Sequence, residues 1–255
     1  MNTQREQLIQ TWLQAVLQSD QFEISFLAGD ASFRRYARIK LQNKTYMLMD
    51  APPEKEDCVP FVSIDEFFDG HGVRVPHIVA KDLTQGLLLL EDFGDVVLST
   101  LLNDETVDQY YAQSFEQLIE LQQIDGLEQL PAYSYEKLMT EMRLLTEWML
   151  PSLDIQPTEQ QLETIEQAFD FLAVEATHQP QVIVHRDFHS RNLMKIENEQ
   201  ALGVIDFQDA VIGADTYDLI SITRDAYVQW NAERVYGWFE VFYNLLPAVA
   251  KEIVV

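Results

Sequence analysis

The sequence predicts an α+β fold, a small antiparallel β-rich lobe followed by a larger, mainly helical lobe. Three observations carry this. Short apolar runs bounded by turn residues crowd the N-terminal part of the chain. Long stripes at helical spacing dominate the rest. The two textures change over near Asp92, which places the domains at 1–91, with a leading helix, and 92–255.

The elements follow in order. Ile9, Trp12, Leu13, Val16 and Leu17 fall on one face of an opening helix. Runs at 22–27, 33–41 and 45–49 read as strands, joined by a turn at 28–32 and by Gln42-Asn43, which suggests an antiparallel meander. Pro52-Pro53 ends the third strand. A helix is expected over 58–68, a turn at Gly72-Val73-Arg74-Val75-Pro76, and strands over 77–80 and 86–90. In the second lobe, Val107, Tyr110, Tyr111, Phe115, Leu118 and Leu121 stripe a helix over 104–124 that stops at Gly126. Helices over 133–150 and 158–177 are bounded by prolines, and Thr158 with Gln161 resembles a capping box. Brief β-type runs at 182–184 and 202–205 precede helices beginning near 216 and 231.

Charge narrows the partners. With 17 Lys and Arg against 42 Asp and Glu, the net charge is −25. No basic run exceeds Arg34-Arg35, which argues against nucleic acids and anionic membranes. Cys58 is the only cysteine, so neither an intramolecular disulfide nor a cysteine metal site is available, in keeping with a reducing cytosol. The opening segment lacks a signal peptide's apolar block, and the longest aliphatic run, 87–90, is far short of the ~20 residues that span a bilayer. The expectation is a cytoplasmic protein, with oligomeric state left open.

Two loops carry chemistry. After Val184 the chain reads His185-Arg186-Asp187-Phe188-His189-Ser190-Arg191-Asn192, and after Ile205 it reads Asp206-Phe207-Gln208. An aspartate alone in a loop is ordinarily a solvated turn residue. Two apolar strands that each deliver an acidic loop, with an asparagine between, are what phosphoryl transfer from a metal–nucleotide requires. One carboxylate accepts a hydroxyl proton, and a second carboxylate with an amide oxygen holds Mg²⁺, which prefers oxygen ligands. Asp187 fits the first role, Asn192 and Asp206 the second.

These motifs resemble the protein-kinase-like superfamily and its aminoglycoside phosphotransferase branch, where a second histidine, here His189, stands inside the catalytic loop. The stretches GDASFRRYARI, MDAPPEKEDCVPFV, VPHIVAKDLTQGLLLLEDFGD, VHRDFHSRNLM and GVIDFQDAVIGADTYDLISITRDAY look like bacterial anomeric sugar kinases of cell-wall recycling. The resemblance covers about 27–230. It implies a bilobal kinase-like fold, with 1–91 binding nucleotide and 92–255 catalytic. It further implies ATP and Mg²⁺ as cofactors and transfer to the C1 hydroxyl of N-acetylmuramate or N-acetylglucosamine. Kinases of another small hydroxyl compound (an aminoglycoside, homoserine or choline) and a non-catalytic nucleotide-binding module are the alternatives.

Residue by residue, the resemblance makes Asp187 the base, Asn192 and Asp206 the Mg²⁺ ligands, and Leu90, Glu91, Asp92 and Phe93 a hinge whose backbone reads adenine. His185 and Arg186 would brace the loop, and Asp209 and Asp218 read as structural. The third strand, Tyr46-Met47-Leu48-Met49-Asp50, lacks the lysine that pairs with phosphates in related kinases. Arg34 or Arg35, beside a turn placed like a phosphate-covering loop, is the substitute expected. For the acceptor, His189 either touches the sugar or caps the loop. Glu147 and Trp148 either bind the sugar or pack the helix, and Arg191 or Arg224 either meets a lactyl carboxylate or forms a structural ion pair. This family usually continues through further helices beyond the position of Trp230, so the chain reads as a fragment or a shortened relative.

Overall fold

The computed structural model describes residues 3–28 and 33–247. Residues 29–32 of the expected first turn lie outside it. The chain divides into two compact units, Met1–Val97 with Leu193–Gln208 and Leu98–Asn192 with Asp209–Val255.

In the first unit, β1 (Glu23–Phe26), β2 (Arg35–Leu41), β3 (Lys44–Asp50), β4 (Ile78–Asp82) and β5 (Leu87–Glu91) form an antiparallel sheet in the order β1-β2-β3-β5-β4. The meander is thus present. Gln42, at φ 55°, helps close the two-residue turn between β2 and β3. Helix α1 (Thr3–Leu17) presses Ile9 and Leu13, one helical turn apart, onto Ala37, Ile39, Leu48, Leu87 and Leu89. Each of the fully buried leucines and isoleucines contributes about 1.5–3 kcal/mol. Helix α2 (Val59–Gly70) carries Pro60 in its first turn, where no donor is lost, and buries Phe61, Val62, Ile64, Phe67 and Phe68. Gly86 has φ +64°, and a Cβ there would overlap the Ala51 carbonyl, so the approach of these two backbones needs glycine.

A hairpin of β7 (Leu193–Lys195) and β8 (Leu202–Val204) completes this unit. The Lys195 N–H donates to the Val96 carbonyl at 2.8 Å and the Val204 N–H to the Arg74 carbonyl at 2.8 Å. Strand β7 was not expected: its Leu193-Met194-Lys195 has no β-branched residue and directly follows the polar loop, whereas β8 continues into Val204-Ile205.

The second unit packs α3 (Val107–Gln122) against α8 (Ala232–Leu245) through aromatic rings. Tyr111 lies 4.5 Å from Trp238 and Phe115 5.6 Å from Phe242, centroid to centroid. Strand β6 (Gln181–Val184) pairs with β9 (Val211–Ala214), the second strand not expected, and the short α7 (Tyr217–Thr223) follows. Between α3 and β6, the single helix expected over 133–150 is instead α4 (Tyr135–Leu144), a π turn (Leu145–Met149) and α5 (Leu150–Ser152). Pro151 explains the break: its ring crowds the carbonyl four residues back, and a widened turn relieves that contact. Helix α6 (Glu159–His178) starts in the expected capping box, with Thr158 and Gln161 satisfying each other's backbone. Among the described residues, no helix is long and apolar enough to cross a membrane.

Candidate active site

The catalytic-type loop leaves β6 and is held from below by one carboxylate. Asp218, wholly buried in the first turn of α7, accepts the His185 N–H at 2.6 Å and the Arg186 N–H at 3.1 Å. Burial, opposed by these two donors, pushes its carboxyl up to about 7. Arg186 takes φ +78°, a conformation non-glycine residues rarely adopt and one that persists only where surroundings impose it. Its guanidinium donates to Glu141 at 2.5 Å and lies over the Tyr133 ring. His185 is fully buried with its ring edge-on to Phe188. Both therefore brace the loop, as expected.

The loop then closes on Asp187. The Asp187 carbonyl accepts the His189 N–H at 3.0 Å and Asn192 Nδ2 at 3.0 Å, while the residue itself stays exposed. With Nδ2 turned to that carbonyl, the oxygen is the end of the Asn192 amide suited to a cation. A second carboxylate, Asp225, accepts the Ser190 N–H at 2.9 Å and the Tyr227 N–H at 2.8 Å. Tyr227 in turn meets the His189 ring at 5.1 Å and lies beneath the Arg191 guanidinium at 3.8 Å. His189 and Arg191 are thus brought together through Tyr227.

The first unit holds the other acidic loop. After β8, Asp206 takes φ +65° and accepts Gln208 Nε2 at 2.9 Å. Phe207 is fully buried against Phe61 and Phe68 of α2, which anchors the loop on that helix.

The strip Leu90–Phe93 is gripped by two arginines. Leu90 is buried, with Met47 and Ile78 opposite it on the flanking strands. Arg74 donates to both oxygens of Glu91 at 2.7 and 2.6 Å and to both oxygens of Glu199 at 2.8 and 2.9 Å. It also lies 4.6 Å from the centroid of the Phe93 ring. This pairing holds Glu91 below the usual carboxylate range. Phe93 in turn packs on Gly203, where any Cβ would overlap the ring. Arg38 donates to both oxygens of Asp92 at 2.6 and 3.0 Å. Burial of Asp92 opposes its charge, but Arg38, the Gly94 N–H and Thr45 outweigh it and hold the carboxyl low.

The other expected residues differ in their surroundings. Arg34 pairs with Glu56 at 2.8 Å, and Arg35 pairs with the buried Asp50, which also accepts Arg5. Glu147 and Trp148 lie on the π turn, and Trp148 is 72% exposed rather than part of the helix core. Among the described residues neither makes a side-chain hydrogen bond or ring contact. Arg224 follows α7, exposed and, among the described residues, without a carboxylate partner. Asp218 is structural, as expected, while the anchor Asp225, the gripping arginines Arg38 and Arg74, and Tyr227 were missed. Their partners lie up to 125 residues away, and no local spacing announces them.

Taken singly, Asn192 offers an amide oxygen and Asp206 a carboxylate oxygen, the donor types that magnesium prefers. Among the described residues no group of three or more His, Cys, Asp or Glu is gathered to hold a metal.

Residues 23–252 match the model of the phosphotransferase enzyme family, APH. The chain belongs to this phosphotransferase family. Three family relatives bear the name N-acetylmuramate/N-acetylglucosamine kinase. That of Pseudomonas putida is 39% identical over 87% of this chain and 65% of its own length. That of Pseudomonas aeruginosa is 40% identical over 82% and 62%, and that of Neisseria meningitidis 36% identical over 91% and 70%. The chain thus spans somewhat under two thirds of the length of the two Pseudomonas relatives. The fold is that of solved phosphotransferases. Aminoglycoside phosphotransferase APH(2'')-Ib with ADP bound superposes with a TM-score of 0.66 at 16% identity, over 99% of this chain and 86% of that one. A spectinomycin phosphotransferase, in complex with ADP and spectinomycin, superposes with a TM-score of 0.67 at 16% identity, over 95% and 80%.

Proposed function

We propose that the chain is an ATP- and magnesium-dependent sugar kinase that phosphorylates the anomeric C1 hydroxyl of N-acetylmuramate or N-acetylglucosamine. The observation that carries this reading is the loop His185–Asn192, suspended from Asp218 and closed by Asn192, in a chain 36–40% identical to three relatives of that name.

Asp187 is the group that orients the sugar hydroxyl and accepts its proton as the bond to phosphorus forms. Phosphoryl transfer of this kind needs positioning more than a strong base, so an exposed carboxylate on a braced loop is adequate. Asn192 and Asp206 hold the magnesium, which when bound neutralises charge on the transferring phosphate. Leu90–Phe93 supply backbone groups to adenine. Their acidic side chains are drawn to Arg38 and Arg74, which keeps those charges occupied. Phosphate charge is met elsewhere than at a third-strand lysine; Arg35 and Arg34, at the start of β2, are the nearest cations in sequence to that loop, though each already has a carboxylate. His189, Arg191 and Tyr227 face the acceptor, with Arg224, Glu147 and Trp148 as further candidates. The cytosol, which supplies ATP and magnesium, is the compartment proposed.

The test is ADP release with a panel of acceptors: the two amino sugars, an aminoglycoside, homoserine and choline. Sugar-dependent release confined to the amino sugars supports the reading. Release driven by a cationic acceptor replaces it, and nucleotide-induced thermal stabilisation without turnover on any acceptor points to a non-catalytic module.

A further inference from the structure

We propose that Arg191, seated over the Tyr227 ring, is the receptor for a carboxylate on the acceptor sugar, and that this pair discriminates acidic from neutral amino sugars. The inference rests on the kinase reading above and deepens it by assigning a specificity element.

The first ground is an accounting of cations. The sequence has ten arginines. Eight of them, Arg5, Arg34, Arg35, Arg38, Arg74, Arg143, Arg186 and Arg234, are in ion pairs. Arg191 and Arg224 are the two without a carboxylate among the described residues. In a chain of net charge −25, an arginine that no carboxylate has captured is unusual, and Arg191 stands four residues after Asp187 in the loop proposed to do the chemistry.

The second ground is geometry. The Arg191 guanidinium carbon lies 3.8 Å from the Tyr227 ring centroid, close enough for the ring face to hold the guanidinium by cation–π attraction. Stacking of this kind fixes the plane of the group and leaves its N–H edge, which matches a carboxylate in a two-point fork. A flexible lysine has no equivalent. The platform is itself fixed: buried Asp225 accepts both the Ser190 N–H, next to Arg191, and the Tyr227 N–H. One carboxylate therefore ties the arginine's backbone and its aromatic support together. Beside them the His189 ring lies edge-on to Tyr227, and its Nδ1 is buried without a hydrogen-bond partner, a polar atom suited to a hydroxyl or amide of the same acceptor.

The third ground is the chemical difference between the two sugars in the relatives' name. N-acetylmuramate carries a carboxylate and N-acetylglucosamine does not, so an oriented guanidinium affects the first and leaves the second nearly untouched. Arg224 lacks such a platform: among the described residues its guanidinium has no ring beneath it.

The experiment compares wild type with Arg191→Gln, Arg191→Lys and Tyr227→Leu, each shown to be folded by circular dichroism and melting. KM is measured for both sugars and for ATP, and sugar binding is measured by calorimetry. Arg191→Gln is expected to raise KM for N-acetylmuramate by about tenfold or more, the scale of a lost charge-assisted pair. KM for N-acetylglucosamine and for ATP should stay within about twofold. Arg191→Lys should recover only part of the loss, and Tyr227→Leu should fall between. Equal effects on both sugars, a rise in the ATP KM, or no change in any constant would overturn the proposal. If wild type turns over neither sugar, the kinase reading fails separately and calorimetry decides this inference. Binding of N-acetylmuramate that weakens in Arg191→Gln supports it, and its absence in wild type overturns it.

Discussion

Replacing Arg74 with methionine removes the guanidinium that grips the strip Leu90–Phe93 while keeping much of the side chain's length. Five hydrogen bonds go, two to Glu91, two to Glu199 and one to the Val75 carbonyl, together with the contact on the Phe93 ring. Both glutamates are about one-third exposed, at 34% and 37%, so water screens each pair. Each is then worth about 1 kcal/mol, the top of the range for exposed pairs. Loss of the ring contact adds roughly 0.5–1 kcal/mol. Two carboxylates left facing one site add repulsion, so the whole change is about 2–3 kcal/mol. In a chain of this size that lowers Tm by roughly 5–10 °C. Because the strip is proposed to present its backbone to adenine, KM for ATP should rise about three- to tenfold, a loss of about 1 kcal/mol of binding. The assay is melting and ATP kinetics in low salt and again near 1 M salt, where the Debye length shrinks to ~3 Å and the stability gap should narrow. A variant within about 1 °C of wild type, with an unchanged ATP KM, would refute the claim that Arg74 holds this strip.

Two further outcomes follow from buried aspartates. In Asp218→Asn the amide nitrogen would face one of the two backbone N–H donors, leaving it unsatisfied. Turnover should fall by about a hundredfold or more while the ATP KM barely moves; steady-state kinetics check this. Asp65, buried on α2 beside Asp69 and Glu66, has its carboxyl pushed up to about 7, chiefly by burial. A raised folded-state value means that its stabilising contribution is full below ~3.9 and is lost as pH rises through about 7. Asp65→Asn cannot ionise, so between pH 4 and pH 8 its stability relative to wild type should climb, by an amount on the order of 2–4 kcal/mol. Parallel melting curves across pH would show that the carboxylate is not penalised there.

The legible parts of this protein were those with a period or a motif. The stripe Ile9–Leu13, the alternation through Ala37 and Ile39, and the prolines around α6 placed most elements within a few residues. The roles proposed for Asp187, Asn192 and Asp206 come from two motifs that are each local in sequence. What was not legible was long-range or conformational. Asp218 holds His185 from 33 residues away, and Arg74 reaches Glu199 across 125. The positive φ at Arg186 and Asp206 leaves no trace, since neither is a glycine. Strands β7 and β9, three and four residues long, exist because a partner strand lies alongside each. The π turn shows the same limit from the other side: apolar spacing continues through Trp148, but Pro151 widens the helix and turns that ring to solvent.

The most direct measurement is phosphorus NMR of wild type and Asp187→Asn incubated with ATP, magnesium and N-acetylmuramate, with both proteins shown to melt alike. Wild type should build up a sugar 1-phosphate, and the variant, which keeps the loop but cannot accept the proton, should make it about a thousandfold more slowly. A variant that forms the same product at the wild-type rate would contradict the account.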